Sequence, residues 1–109
     1  MSAFEKIVSA IKEFGYPYEP DIYRGEKKKY FTFNYADERA TLFADDSIEV
    51  VVASVQVHFF LPYRENFISE KNRISKALFK EGFTYPEVTI LKENDTRHII
   101  FECDIEEEE

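Results

Sequence analysis

The chain has 109 residues, enough for one domain built around one hydrophobic core. Its formal net charge of −8 argues against binding to nucleic acid or anionic membranes, since both need a lysine- and arginine-rich surface. The single cysteine, Cys103, excludes an internal disulfide, and eleven Phe with seven Tyr favour a sheet-rich fold. The first residues lack a signal-peptide pattern and no apolar run approaches the about 20 residues of a membrane helix, so we expect a protein kept in a reducing cytoplasm.

Residues 3–14 are predicted to form an amphipathic helix. Ser2 and Glu5 have the spacing of a capping box at its start, and Gly15 is predicted to end it. Its apolar residues recur at helical spacing and share one stripe: Phe4, Ile7, Val8, Ile11 and Phe14. Residues 16–29, which contain two prolines, are predicted to form a long loop.

Two strands are predicted next, at residues 30–36 and 48–61, because apolar and polar side chains alternate along both. The second is the strongest strand signal in the chain, and its first half is apolar on both faces. Because a strand of that length is unusual, we expect it to carry a bend or bulge. The intervening residues 37–47 are polar around an apolar centre, Leu42 and Phe43, and are predicted to form a second long, mobile loop, in which a short irregular strand remains an alternative.

A second helix is predicted at about residues 65–81, where apolar residues again recur at helical spacing. Residues 87–92 and 97–105 are predicted to form a hairpin around an Asn94-Asp95 turn, since Asn and Asp side chains suit turns. The acidic residues 106–109 are predicted to form a short, frayed tail.

The predicted order of elements is therefore α-β-β-α-β-β. It favours the α+β class, with two helices packed on one face of a mixed, mostly antiparallel sheet. We expect one domain over residues 1–109, whose mobile loops lie near 16–29 and 37–47. The predicted core combines the apolar faces of these elements: Phe4, Ile7, Ile11, Phe31, Phe33, Val55, Val57, Phe59, Ile74, Leu78, Ile99 and Phe101.

The two histidines, His58 and His98, occupy polar positions of their predicted strands. If those strands pair, the two imidazoles can meet on one face of the sheet. A metal site at that place would need a third ligand in fixed geometry. The pattern therefore favours two polar-face histidines at a sheet surface over a metal or acid–base role.

The remaining polar clusters also favour simple structural interpretations. Asp45, Asp46 and Glu49 lack the ligand alternation and the glycine of a calcium loop, so a solvated turn is predicted. The run Lys27-Lys28-Lys29 is too short for a nucleic-acid patch and indicates a solvated loop. Cys103 lies on an apolar strand face and is predicted to be a buried small hydrophobe, not a nucleophile. We therefore predict no catalytic, cofactor or metal site, and a protein that is not an enzyme.

Several segments carry a resemblance to a known family. In chain order they are Tyr30–Tyr35, Ala40–Asp46 (Ala-x-hydrophobic-aromatic-Ala-Asp-Asp), Val55–Val57, Glu81–Phe83, and Glu93–Thr96 followed by His98. Together they span about residues 14–105. In these segments the sequence resembles the small tail-terminator proteins, also called tail completion or minor tail proteins, of siphovirus-type phages and prophages.

The resemblance implies a virion structural protein that caps the tail tube as a ring, usually a hexamer, and joins the tube to the head connector. The implied partners are copies of the chain itself, the tail tube protein and a head-completion protein. The implied location is the virion tail, after assembly in the host cytoplasm. An acidic ring would let DNA pass without binding it. We expect subunit contacts in and beside the second loop, at Arg39, Leu42, Phe43, Asp45 and Asp46.

Two other classes of function remain open. One is a small intracellular protein-binding or regulatory module that grips its partner through a sheet edge or the loops. A small α+β enzyme that uses His58 or His98 is a weaker alternative. Ring assembly at high concentration supports the virion protein, whereas a stable monomer with one small-molecule pocket supports the other two.

Overall fold

The computed structural model describes the backbone of residues 2–42 and 48–107, and the side chains of residues 2–39 and 50–107. Its helices and strands, in chain order, are α1 (Ala3–Ile11), β1 (Tyr18–Pro20), β2 (Tyr30–Leu42), β3 (Ile48–Pro62), α2 (Ile68–Lys80), β4 (Glu87–Glu93) and β5 (Thr96–Glu107). A single 3₁₀ turn, Lys12–Phe14, continues α1. The fold belongs to the α+β class, as predicted.

The described strands form one five-stranded sheet in the order β1-β2-β3-β5-β4. The pairs β2–β3, β3–β5 and β4–β5 are antiparallel, whereas β1 lies parallel to β2. The sheet is therefore mixed and mostly antiparallel, as predicted. Its central strand, β3, runs beside β5 over its whole second half, with Phe59 opposite Ile99 and Val57 opposite Phe101.

The odd-numbered side chains of β3 and β5 meet both helices in one hydrophobic core. In β3 these are Ala53, Val55, Val57, Phe59 and Leu61, and in β5 they are Ile99, Phe101, Cys103 and Ile105. Helix α1 contributes Ile7 and Ile11, and α2 contributes Ile74 and Leu78. Every predicted core residue is buried except Phe4, which is part-buried and packs against the core from outside.

Strand β2 extends six residues further than predicted, because residues 37–42 pair with β3 and do not form a loop. The register explains the error. Tyr35 lies opposite Val55 but Asp37 lies opposite Ser54, so Ala36 is an extra residue on β2. Such a bulge inverts the alternation of faces, and a sequence pattern of period two stops at that point. The expected irregularity in β3 also exists, at Glu49, where a second shift separates the Thr41 and Leu42 pairs.

The predicted loop 16–29 contains strand β1, which the sequence pattern missed. Its three residues pair with β2, with Tyr18 opposite Phe31 and Pro20 opposite Phe33. Three residues are too few for alternation to show, and Pro20 argues against a strand except at an edge, where β1 lies. The observed order is therefore α-β-β-β-α-β-β, with one strand more than predicted.

The predicted ends of the elements are confirmed where a specific residue causes them. Ser2 Oγ accepts a hydrogen bond from the Glu5 backbone, and Glu5 Oε1 accepts one from the Ser2 backbone N–H, which lowers the pKa of the Glu5 carboxyl. Gly15, Gly82 and the turn residue Asn94 adopt positive φ angles. In contrast, α2 begins three residues later than predicted, and residues 106–107 continue β5 instead of fraying.

Candidate functional site

The sheet face opposite the core carries the even-numbered side chains of β3 and β5, and those of β2 as far as its bulge at Ala36. Near its middle, this face carries a histidine cluster, defined here as Asn34, His58, Glu93 and His98. His58 and His98 belong to neighbouring antiparallel strands and are diagonal partners, because His58 lies opposite Ile100 and Phe60 lies opposite His98. The sequence predicted that the two imidazoles would meet if their strands paired, and the structure confirms it.

A chain of hydrogen bonds runs across the histidine cluster. His58 Nδ1 lies 2.7 Å from His98 Nε2, and His58 Nε2 lies 2.9 Å from Asn34 Oδ1. His98 Nδ1 lies 3.2 Å from Glu93 Oε2. The amide of Asn34 donates to Gln56 Oε1, which turns the Asn34 oxygen toward His58. The cluster therefore joins four strands of the sheet through side chains alone.

The direction of these bonds sets the positions of the protons. Because Asn34 Oδ1 only accepts, His58 carries its proton on Nε2, and its Nδ1 accepts from His98 Nε2. The other nitrogen of His98, Nδ1, faces the carboxylate of Glu93. Within the described ranges, the hydrogen bonds of both imidazoles stay inside the cluster and reach no hydroxyl or thiol nucleophile.

Burial and the neighbouring ring both act on His58. Burial in the cluster lowers the pKa of His58, and the His98 imidazole lowers it further, while Glu102 and Glu93 act weakly in the opposite direction. His58 is therefore held in the neutral form that the hydrogen-bond direction also requires. This agreement indicates a structural role for the pair in tying β3 to β5.

A row of stacked rings continues from the histidine cluster to one end of the sheet. Phe60 stacks on His98 with the ring centres 4.2 Å apart, Tyr30 stacks on Phe60 at 4.7 Å, and Tyr23 stacks on Tyr30 at 4.4 Å. Two rings this close to Tyr30 must lie on its opposite faces. Gly25 permits the arrangement, because a Cβ there would lie 2.2 Å from the Tyr23 hydroxyl.

Beside this row lies a cleft of about 650 Å³ between the loop before β2 and the turns that follow β3 and β4. We call it the basic cleft. Its lining combines tyrosines with three cations and one carboxylate: Tyr23, Gly25, Lys27, Lys28, Tyr30, Pro62, Tyr63, Arg64, Asp95 and Thr96. Among the described residues, Lys27, Lys28 and Arg64 form no ion pair.

The third lysine of the predicted solvated run differs from its neighbours. Lys29 Nζ lies 3.0 Å from Glu70 and 3.6 Å from Glu65, and it sits over the Tyr16 ring. Burial alone would lower the pKa of Lys29, but hydrogen bonds to Tyr16 and Glu70 outweigh that effect and raise it. Lys29 therefore fastens the loop to α2, and only Lys27 and Lys28 face the cleft.

The other end of the same sheet face is acidic. We call Asp37, Glu102, Asp104 and Glu106 the acidic end. Arg39, one of the predicted interface residues, lies among them with 54% of its side chain exposed. Its guanidinium lies 3.1 Å from Asp104 and 3.4 Å from Asp37, and it donates to Ser54 Oγ.

The remaining predicted interface residues are only partly covered by the structure. Leu42 is the last residue of β2, opposite Ile48, and its side chain is not described. Phe43, Asp45 and Asp46 lie outside the described residues. Of the five predicted interface residues, only Arg39 has a described side chain.

Two further sequence predictions concern metals and the thiol. Across residues 2–42 and 48–107, no three His, Cys, Asp or Glu side chains are grouped as a metal site. Cys103 is buried, as predicted, and burial followed by the charge of Asp104 raises its pKa to about 12. No helix in those ranges has both the length and the apolar character to cross a membrane.

Sequence reasoning missed Glu93, the aromatic row and the basic cleft. The even positions of Tyr30, Phe60 and His98 were a usable signal for the row, but only once the strand register was known. The cleft joins residues from separate turns, which no spacing along one strand can indicate. The sequence matches no protein-family model and no curated protein.

Proposed function

We propose that this chain is a structural assembly protein that packs against copies of itself in a ring. The resemblance in the segments from Tyr30 to His98 makes a phage tail terminator the specific form of this proposal. In that role it caps the tail tube, binds no substrate and catalyses no reaction. Its partners are then the tail tube protein and a head-completion protein.

The observation that carries the proposal is the end of the β2–β3 hairpin. Among the described residues, β5 pairs with β3 as far as Val51–Glu107, while β2 and β3 remain paired as far as Leu42 and Ile48. Within that part of the chain the hairpin therefore ends as a two-stranded ribbon, which is marginally stable without a third partner. Strand β3 is apolar on both faces at this end, yet Val50, in the ribbon, and Val52, at its base beside β5, are only part-buried. A neighbouring subunit that covers the ribbon satisfies both features.

A specific observation also favours the alternative of a protein-binding module. Strand β4 is an edge of the sheet, so the backbone groups on its outer side are free to pair with another strand. It presents Ile90 and Leu91 with 41% and 39% of their surfaces exposed. An extended segment of a partner protein can add to such an edge as a further strand.

Sedimentation velocity over a range of concentrations, with negative-stain microscopy of the same samples, tests the proposal. We expect a monomer at low concentration and closed rings at high concentration. Changing Val50→Lys and Val52→Lys together should prevent rings, because two charges would enter the covered ribbon. The matched control is Ile68→Lys with Phe79→Lys, which adds the same charge at exposed positions of α2.

A third variant, Thr89→Lys with Leu91→Lys, separates the two candidate functions. Lysine on an edge strand blocks pairing with another strand. If this variant loses assembly while the ribbon variant keeps it, the edge-binding module is correct and the ribbon is not the contact. A wild-type chain that stays monomeric at every concentration contradicts the ring.

A further inference from the structure

The charges of this acidic chain are separated along the strands of its sheet. Thr96, at the start of β5, lines the basic cleft, and Glu106, ten residues later, lies at the acidic end. At the usual rise of a strand the two are roughly 33 Å apart. The molecule extends 54 Å along its longest axis, so this distance is more than half of its length.

The basic cleft has the chemistry of an anion site. Lys27, Lys28 and Arg64 bring three cations to it against the single carboxylate of Asp95. In a chain with a net charge of −8, three cations without an ion-pair partner among the described residues are a local exception. Such groups bind carboxylate or phosphate through charge-assisted hydrogen bonds.

Two of the three rings of the cleft are already engaged by other side chains. Both faces of Tyr30 are covered, by Tyr23 and by Phe60. The Tyr63 ring already carries Lys92 at 4.7 Å and Arg97 at 4.4 Å. Tyr30 and Tyr63 therefore offer edges and hydroxyl groups, which suit an anion better than a nucleobase. A cleft of about 650 Å³ also exceeds what one small anion fills, which favours a segment that carries several carboxylates.

We propose that the basic cleft of one copy receives the acidic end of a second copy. The acidic end offers Glu102 and Glu106, both exposed and without an ion pair among the described residues. Because the cleft and the acidic end are different surfaces of the same chain, the contact is head-to-tail, and repeating it produces a ring when the rotation closes. This inference rests on the proposed function and names the surfaces that would join neighbouring subunits.

The charges act mainly on specificity and on the direction of assembly. Complementary patches guide the encounter and disfavour the reversed, like-charged pairing of two clefts or two acidic ends. Salt also screens exposed ion pairs. The screening length is about 8 Å at physiological ionic strength and about 3 Å at 1 M. Assembly of the wild-type chain should therefore weaken as sodium chloride is raised.

A charge-swap experiment tests the contact. The cleft variant carries Lys27→Glu and Lys28→Glu, and the acidic-end variant carries Glu102→Lys and Glu106→Lys. Each alone places like charges across the contact, so the concentration for half-assembly should rise on the order of a hundredfold. An equimolar mixture should assemble nearly as well as wild type, because every contact in an alternating ring again joins opposite charges.

Two control variants change the net charge equally at exposed positions elsewhere. Lys76→Glu with Lys80→Glu matches the cleft variant, and Glu13→Lys with Glu19→Lys matches the acidic-end variant. Both should assemble like wild type, and all four variants should melt at nearly the wild-type temperature by circular dichroism.

The outcomes distinguish this inference from the function on which it rests. If wild type forms rings and either swapped variant alone does so equally well, the proposed contact is wrong and the ring stands. If both variants lose assembly but their mixture does not recover it, the two surfaces do not face each other and the contact is also wrong. If wild type never assembles, the ring and the contact fail together.

Discussion

His58 and His98 share a hydrogen bond of 2.7 Å between Nδ1 of the first ring and Nε2 of the second. The bond crosses from β3 to β5, and Glu93 and Asn34 extend it to β4 and β2. Four of the five strands are thus joined by one line of polar side chains on the face opposite the core. Because this line contains two histidines, the stability of the fold should depend on pH.

We predict that the folded state loses stability as the pH falls below the ordinary histidine value of about 6.5. The pKa of His58 is lowered in the folded protein, first by burial and then by His98. The unfolded chain therefore binds more protons than the folded chain in this window, and protonation favours unfolding. The stability that neutral His58 contributes is fully present above the pKa of this histidine in the unfolded chain. It is lost as the pH falls through the lower pKa of His58 in the folded protein.

This prediction can be checked by urea unfolding of wild type and of His58→Gln at several pH values between about 7 and 5. That range includes the ordinary histidine pKa of about 6.5. The variant should show a smaller loss of unfolding free energy over that interval. Glu93 and Glu102, which also face the histidine, remain in both proteins and cancel in the comparison. Equal slopes for the two proteins would contradict the assignment of the pH dependence to His58.

The core residues Val57 and Phe101, which lie opposite each other on β3 and β5, are both fully buried. Changing either to Ala should lower the free energy of unfolding by about 2–5 kcal/mol, through lost burial and a cavity. Thr89→Ala on the exposed edge strand should change it by less than about 0.5 kcal/mol. Chemical denaturation measures all three, and similar midpoints would show that the core is misassigned.

Glu107 connects the end of β5 to the start of the chain. Its carboxylate accepts hydrogen bonds from the Ala3 backbone at 2.7 Å and from the Tyr35 hydroxyl at 2.8 Å. Burial, followed by this bond to Glu107, raises the pKa of Tyr35 to about 12. We expect Glu107→Ala to lower the free energy of unfolding by roughly 1–3 kcal/mol, since each of the two hydrogen bonds contributes about 0.5–1.5 kcal/mol. Glu106→Ala, at an exposed neighbouring position, is the control and should unfold at the wild-type urea concentration.

The thiol of Cys103 should react only when the protein opens. It is buried in the core, and its pKa of about 12 leaves almost no thiolate at neutral pH. Labelling with a chromogenic disulfide reagent should be slow in native buffer and immediate in denaturant. The native rate should increase in Phe101→Ala, because that change destabilises the surrounding core. Fast labelling of the native wild type would place the thiol at the surface.

Much of the fold was predictable because local patterns reflect local physics. The alternation along 48–61 predicted β3, and Ser2 with Glu5 predicted the capped start of α1. The prediction for β2 ended six residues early because the extra residue Ala36 reverses the alternation there. Strand β1 was missed because three residues carry no period, and only its pairing with β2 defines it.

Outside β1 and the part of β2 beyond Ala36, the sequence by itself determined which side chains share a face of each strand and helix, since a regular backbone period fixes that. It therefore placed Cys103 in the core and His58 on the polar face. The tertiary structure alone decided which residues of different strands meet, because register depends on how the strands pair and where bulges occur. The bond from His98 to Glu93, the stack of Tyr30 on Phe60 and the basic cleft around Lys27 all depend on that register and on turns far apart in the chain.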